Sequence, residues 1–144
     1  MSIKAVAIAS DHRGIALKAV LSVTLRARGL KVLDLGPGSD DAVDYPDFAD
    51  KVAQEIARGE VEFGVLICGS GIGMSIAANR HRQVRAALCH DAETARLTRR
   101  HNNANVLALS GAAISEEDAR ACLIAFLDTP FEGGRHARRV AKLA

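Results

Sequence analysis

Apolar runs and polar, glycine-punctuated stretches alternate regularly along the chain. Ile3–Ser10 (IKAVAIAS) is a short, nearly continuous apolar run, the pattern of a strand covered on both faces. A loop at Asp11–Gly14 follows, then a helical pattern through about Arg28 that Gly29 closes. On that helix Lys18, Ser22 and Arg26 recur every four residues, one polar stripe on an otherwise apolar surface. Lys31–Leu35 predicts a second strand, and Gly36–Asp44 (GPGSDDAVD) is turn chemistry. Asp44 is expected to cap the next helix, with Tyr45 or Pro46 in its first turn, where proline is tolerated. The apolar positions Tyr45, Phe48, Ala49, Val52, Ala53, Ile56 and Ala57 share one face of this helix, and Gly59 ends it.

Phe63–Cys68 (FGVLIC) predicts a third strand running into the glycine-rich turn Gly69–Gly73, from which a helix leaves through Asn79. Val84–Leu88 is a fourth strand, followed by a helix from Asp91 to about Arg99–His101. Asn105–Leu109 is a fifth, followed by a helix capped by Ser115 with Glu116, Glu117 and Asp118 in its first turn, where negative charge suits the dipole. Pro130 and Gly133–Gly134 stop that helix, and a short basic helix ends the sequence. Strand and helix alternate five times, and the strands are apolar throughout. That pattern predicts an α/β fold, a Rossmann-like three-layer α/β/α sandwich on a five-stranded parallel sheet. We expect one domain over residues 1–144 with a basic tail at 133–144. In such folds ligands gather at the carboxyl ends of the strands, so the loops after each strand are where chemistry is sought.

Composition narrows the field. At 144 residues, 49% hydrophobic and 25% charged, the chain has the proportions of a globular domain and not of a disordered one. Aromatics are only 3%, too few for base-stacking surfaces. The net charge of +2 hides an asymmetry: four of the 19 basic residues, and none of the 17 acidic ones, lie from Gly133 onward. The tail suits an anion or is simply a solvated basic helix end, while the slightly acidic remainder argues against nucleic acid. No apolar run is long enough to span a membrane. Cys68, Cys89 and Cys122 form no CxxC, which argues against a zinc or thioredoxin-like motif. Their odd, sparse number and the lack of a leader-like pattern at Ile3–Ala9 lead us to expect a cytoplasmic protein.

The sharpest local signal is Cys68-Gly69-Ser70-Gly71-Ile72-Gly73-Met74. Three alternating glycines at a strand-to-helix turn let backbone N–H groups converge on an anion. Met74 stands where a dinucleotide fingerprint needs glycine, and no Walker Gly-Lys-Ser/Thr occurs, so the turn suits a phosphate or developing oxyanion. Cys68 at its mouth is either a base or nucleophile activated by the helix start, or a buried strand cysteine, as Cys89 and Cys122 look to be. Asp11 and His12 end the first strand. They read as a hydroxyl-binding acid with a phosphate-binding imidazole, or as a cap with a surface histidine. His101, ahead of Asn102, sits at a helix end that favours its cation and suits acid–base work. Arg135 and Arg139, four apart, share a helix face and match phosphate geometry.

Taken in order along nearly the whole chain, these segments resemble the type B ribose-5-phosphate isomerase family, which includes galactose-6-phosphate isomerase subunits. The likeness covers Asp11-His12, Asp44-Tyr45-Pro46, Cys68 to Gly73, Ser75 to Asn79, His101-Asn102, Asn105-Val106, and Gly133-Gly134-Arg135-His136 with Arg139. It implies an aldose–ketose isomerase of carbohydrate metabolism, interconverting ribose 5-phosphate and ribulose 5-phosphate through a cis-enediolate without metal or nucleotide cofactor. On that resemblance Cys68 is the base and Gly69, Gly71, Ile72 and Gly73 hold the enediolate with help from Ser70. His101 and Asp11 open the sugar ring, Tyr45 and Asn102 contact the sugar, and His12, Arg135 and Arg139 hold the phosphate. It also implies a homodimer or homotetramer whose sites are completed by a neighbouring subunit.

Relatives without the cysteine place a glutamate at the position of Met74, so this chain falls in the cysteine-base subclass. One departure stands out. Where many relatives carry an arginine after the fifth strand, this chain has Ala112, within Ser110-Gly111-Ala112-Ala113. That missing cation leaves open another phosphosugar substrate, such as galactose 6-phosphate or a tetrose phosphate. A non-catalytic phosphosugar-binding module is the alternative from another class, although it would need neither Cys68 nor His101.

Overall fold

The computed structural model describes residues 3–144. Its centre is a sheet of β1 (Ala5–Ser10), β2 (Lys31–Asp34), β3 (Phe63–Cys68), β4 (Ala86–Leu88) and β5 (Val106–Ser110). The strand order is β2-β1-β3-β5-β4, and every neighbouring pair is parallel. The helices are α1 (Ile15–Ala27), α2 (Tyr45–Ala57), α3 (Ile72–Ala78), α4 (Ala92–Asn102), α5 (Glu116–Asp128) and α6 (Arg135–Ala141). This is the α/β architecture the sequence predicts, with β1, β2 and β4 shorter than their apolar runs and β5 shifted by one residue. Among the described residues no helix is long and apolar enough to cross a membrane.

The apolar runs are continuous because the two faces of each strand meet different helices. From β1, Val6 and Ile8 pack with Leu17, Leu21 and Leu25 of α1, Ala95 of α4, and Cys122, Leu123 and Phe126 of α5. Ala5, Ala7 and Ala9 point the other way, towards Ala49, Val52 and Ala53 of α2 and Met74 and Ala78 of α3. Small residues on this second face bring α2 close: a Cβ at Gly64 would lie 2.4 Å from Val52 Cγ1. On the first face Phe63 and Phe126 meet edge to face at 5.1 Å, and Arg99 lays its guanidinium over both rings.

Two local expectations are revised. The polar stripe on α1 lies mostly inside the molecule: Lys18 and Ser22 are buried, and only Arg26 stays outside. Burying an ammonium is costly unless it is paired, and Lys18 Nζ donates to Asp34 Oδ1 at 2.7 Å and to Pro37 O at 2.9 Å. The stripe therefore pins α1 to the β2–α2 connection. Asp44 does occupy the N-cap of α2, but its side chain makes no capping hydrogen bond. Ser115 and Asp91 do cap, accepting from Asp118 N at 3.1 Å and Thr94 N at 2.7 Å.

Candidate active site

At the carboxyl edge of the sheet the loops after β1, β3 and β5 are laced together. Asp11 N–H donates to Ile67 O at 2.9 Å, which carries β1 past the end of its own ladder. Asp11 is buried, and its Oδ1 accepts the N–H of Arg13 at 2.9 Å, making a local turn; the N-cap of α1 is Gly14. His12 Nδ1 accepts from Val43 N at 3.2 Å and so anchors the β2–α2 loop. Gly69 O accepts both the Ser110 hydroxyl at 2.7 Å and the Ala112 N–H at 3.2 Å.

The glycine turn lies between these loops. Cys68 is 4% exposed, and its Sγ accepts the N–H of Gly71 at 3.2 Å. Gly71 has φ 78°, and a Cβ there would meet Leu88 Cδ1 at 2.5 Å and the Leu109 carbonyl at 3.0 Å, so both conformation and space demand glycine. The Ile72 N–H is taken by Ser70 Oγ at 3.2 Å. Two of the expected anion donors are therefore held by the turn's own side chains, which an oxyanion would have to share or displace. The Tyr45 ring covers Gly73, where an added Cβ would lie 2.5 Å from it. A hollow of about 340 Å³ beside the turn is lined by Tyr45, Pro46, Asp50, Gly73, Ala77 and Arg80, among others.

The remaining candidates gather elsewhere. α4 runs back against the strands, so His101 and Asn102 at its carboxyl end lie near the start of β5, reached through Asn103–Asn105. This end is fixed by Asn103 in the left-handed region and by the buried Arg99, which donates to Thr129 O, Asn103 Oδ1 and Ala104 O. His101 stacks on His136 with ring centroids 4.4 Å apart, and Glu132 lies 3.9 Å from His101 Nε2 and 3.6 Å from His136 Nε2. His101, Asn102, His136, Arg139, Val140 and Leu143 line a hollow of about 340 Å³. Arg135 and Arg139 are exposed on α6. Burial first, and then the charges of His101 and Arg135, hold the His136 imidazole below its ordinary pKa. Ligand atoms of His101, Glu132 and His136 lie within 4.8 Å of one another, the spacing of a metal cluster. The flanking arginines make the hollow better suited to an anion.

The structure thus brings Asp11, His12, Tyr45, Cys68, Ser70 and the glycine turn to one edge of the sheet, and His101, Asn102, Arg135 and Arg139 to the opposite edge. The five residues of β5 alone span about 13 Å between those edges. Neither half alone contains all the residues to which the resemblance gives the roles of base, acid and phosphate ligand. Cys89 and Cys122 belong to neither half: both are fully buried, and burial pushes their thiols up to about 11 and about 12. Sequence reasoning passed over Glu132 and quoted His136 without giving it a role, although their spacing of four is the signal for a facing pair. It also passed over Arg13, whose guanidinium lies against Gly69.

Comparison with known proteins comes down on one side of these readings. A family model described as Ribose/Galactose Isomerase matches residues 6–143. Ribose-5-phosphate isomerase B of Escherichia coli (strain K12) is 43% identical over 137 residues, covering 95% of this chain and 92% of that protein. A crystal structure of a ribose 5-phosphate isomerase from Thermotoga maritima superposes with a TM-score of 0.95 at 51% identity, covering 97% of each chain. Ribose-5-phosphate isomerase B from Mycoplasma genitalium, solved with bound ribulose-5-phosphate, gives a TM-score of 0.94 at 43% identity, covering 99% of this chain and 95% of that one.

Proposed function

This chain belongs to the ribose/galactose isomerase family, and from that premise we infer that it interconverts ribose 5-phosphate and ribulose 5-phosphate. The observation that carries the reading at the level of the site is Cys68: a strand-end thiol beside a glycine turn, with a backbone N–H at 3.2 Å. Proton transfer between adjacent sugar carbons needs one base that can reach both, and donors for the oxygen that becomes negative.

The steps follow from those roles. His101 protonates the ring oxygen while Asp11 accepts the proton of the anomeric hydroxyl, and the furanose opens to the aldehyde. Tyr45 and Asn102 hold the open chain. Cys68, as thiolate, takes the proton from carbon 2; the electron pair forms the carbon 1–carbon 2 double bond, and the carbon 1 oxygen takes the negative charge. The turn from Gly69 to Gly73, with Ser70, stabilises that oxygen, each donor contributing about 3 kcal/mol. Cys68 then returns the proton to carbon 1, and the proton on the carbon 2 oxygen passes to the carbon 1 oxygen, leaving the ketose. His12, Arg135 and Arg139 hold the phosphate.

The opposed positions of the two groups of residues support a shared site, in which the turn of one subunit meets His101, Asn102, Arg135 and Arg139 of the partner subunit. Tyr45, Ile72 and Ile76 beside the turn, and Leu143 beside the His101 hollow, are exposed apolar residues suited to that contact. A homodimer is the smallest assembly that provides it. Three free thiols fit a reducing compartment, the cytoplasm in this reading.

The test is exchange and turnover with Cys68→Ala. The wild-type protein exchanges deuterium from heavy water into the sugar during turnover. The variant still binds ribose 5-phosphate by calorimetry but loses about 10²- to 10⁴-fold in kcat. Wild-type turnover by the variant would remove Cys68 from the reaction.

A further inference from the structure

The loops at the carboxyl edge of the sheet, residues 11–14, 35–44, 69–71, 89–91 and 111–115, hold one arginine and no lysine. That residue is Arg13. Around the same rim stand Asp11, Asp40, Asp41, Asp44 and Asp91. A substrate that is a phosphate dianion, passing through an anionic intermediate, would thus meet mostly negative charge from these loops, with Arg13 and the imidazoles of His12 and His90 as the exceptions.

Arg13 is placed with care by its backbone and left free by its side chain. Its N–H donates to Asp11 Oδ1, and a Cβ at Gly111 would lie 3.3 Å from its carbonyl oxygen. The side chain is exposed, and among the described residues its guanidinium makes no ion pair or hydrogen bond. It lies instead along Gly69, where an added Cβ would be 2.8 Å from Nη1 and 3.1 Å from Cζ. Gly69 directly follows Cys68, and its carbonyl holds the N–H of Ala112, so the guanidinium lies against the residue that joins the base to the β5–α5 loop. A planar group with five donors, free of any partner and next to the reacting centre, is built to take a bidentate oxyanion.

We propose that Arg13 binds the substrate's phosphate from the turn side of the site and contributes to selection of phosphorylated sugars. This rests on the isomerase reading above. The enediolate forms at Cys68, which is buried, whereas Arg13 is on the open rim, where the permanently charged phosphate remains throughout the reaction. The positive charge that the resemblance leads one to expect at Ala112 is then supplied across the loop contact from position 13.

The experiment is steady-state kinetics on Arg13→Met, Arg13→Lys and the double variant Arg13→Met with Ala112→Arg. Inorganic phosphate serves as competitive inhibitor, and its binding is also measured by calorimetry. Arg13→Met should raise both KM and the phosphate inhibition constant about 10- to 100-fold, the range for one charge-assisted pair. Its kcat should stay within about threefold, as for a contact equally present in ground and transition states. Lysine should restore part of the loss, and arginine at 112 should restore most of it. Unchanged KM and phosphate affinity in Arg13→Met would overturn the assignment. So would a fall in kcat at constant KM, which would put the guanidinium at the enediolate. If the wild-type protein binds phosphate through Arg13 but does not isomerise, the isomerase reading fails while the binding assignment stands.

Discussion

His136 shows how one side chain can be set by its surroundings to meet an anion. It is buried at the start of α6 on a stacked His101, with Arg135 and Arg139 nearby and Glu132 as the opposing charge. Burial and the neighbouring cations outweigh Glu132, so its pKa falls below the ordinary 6.5. The unfolded chain therefore binds more protons at this position than the folded one in mildly acid solution, and stability rises with pH there. The contribution is fully present above about pH 6.5 and is lost as pH falls towards the folded value. Urea melts of the wild-type protein and His136→Gln between pH 5 and 7.5 should show a shallower decline for the variant; parallel curves would remove His136 from the pH dependence. A bound phosphate reverses the balance of charge around the ring, so binding should take up a proton here.

At the scale of elements, the glycine turn is the place where backbone geometry leaves least freedom. Gly71 combines a positive φ with contacts to Leu88 and the Leu109 carbonyl that a methyl group would invade. Gly71→Ala should cost about 1–2 kcal/mol from the left-handed conformation alone. It should also shift the N–H that meets Cys68 Sγ, so kcat should drop further than the loss of folded protein explains. A variant with wild-type kcat would show that the turn tolerates rearrangement. Much at this scale was legible beforehand. The apolar run of β3 matches its strand residue for residue, and Ser115 caps α5, because hydrophobic period and capping chemistry are local signals. The α1 stripe was not, because Lys18 goes inward only when Asp34 and Pro37 O are brought to it by β2 and the loop after it. Arg13 was passed over for a similar reason. In sequence it is one charge beside a glycine; its meaning comes from standing alone among five loops that only the sheet assembles.

At the scale of the molecule, the decisive fact is the direction of α4. A helix joining parallel strands runs back against them, so a residue at its carboxyl end arrives at the amino edge of the sheet. His101 therefore lies across the sheet from Cys68, although resemblance assigns both to one reaction. β5 spans about 13 Å, and a packed parallel sheet does not fold over on itself to close that gap. In the proposed shared site, two copies related by a two-fold axis would close that gap: each turn would face the other copy's His101, giving two equivalent sites. The consequence can be tested without a further structure. Cys68→Ala damages the turn half and leaves the His101 half intact, while His101→Asn does the opposite. Each variant alone should be nearly inactive. Unfolded together and refolded as a mixture, half of the dimers would be mixed, each with one intact site, giving about a quarter of wild-type activity. A mixture no more active than its parents, or full activity from a species that light scattering finds monomeric, would mean that one chain brings both halves together, which the rigid sheet does not allow without leaving its fold.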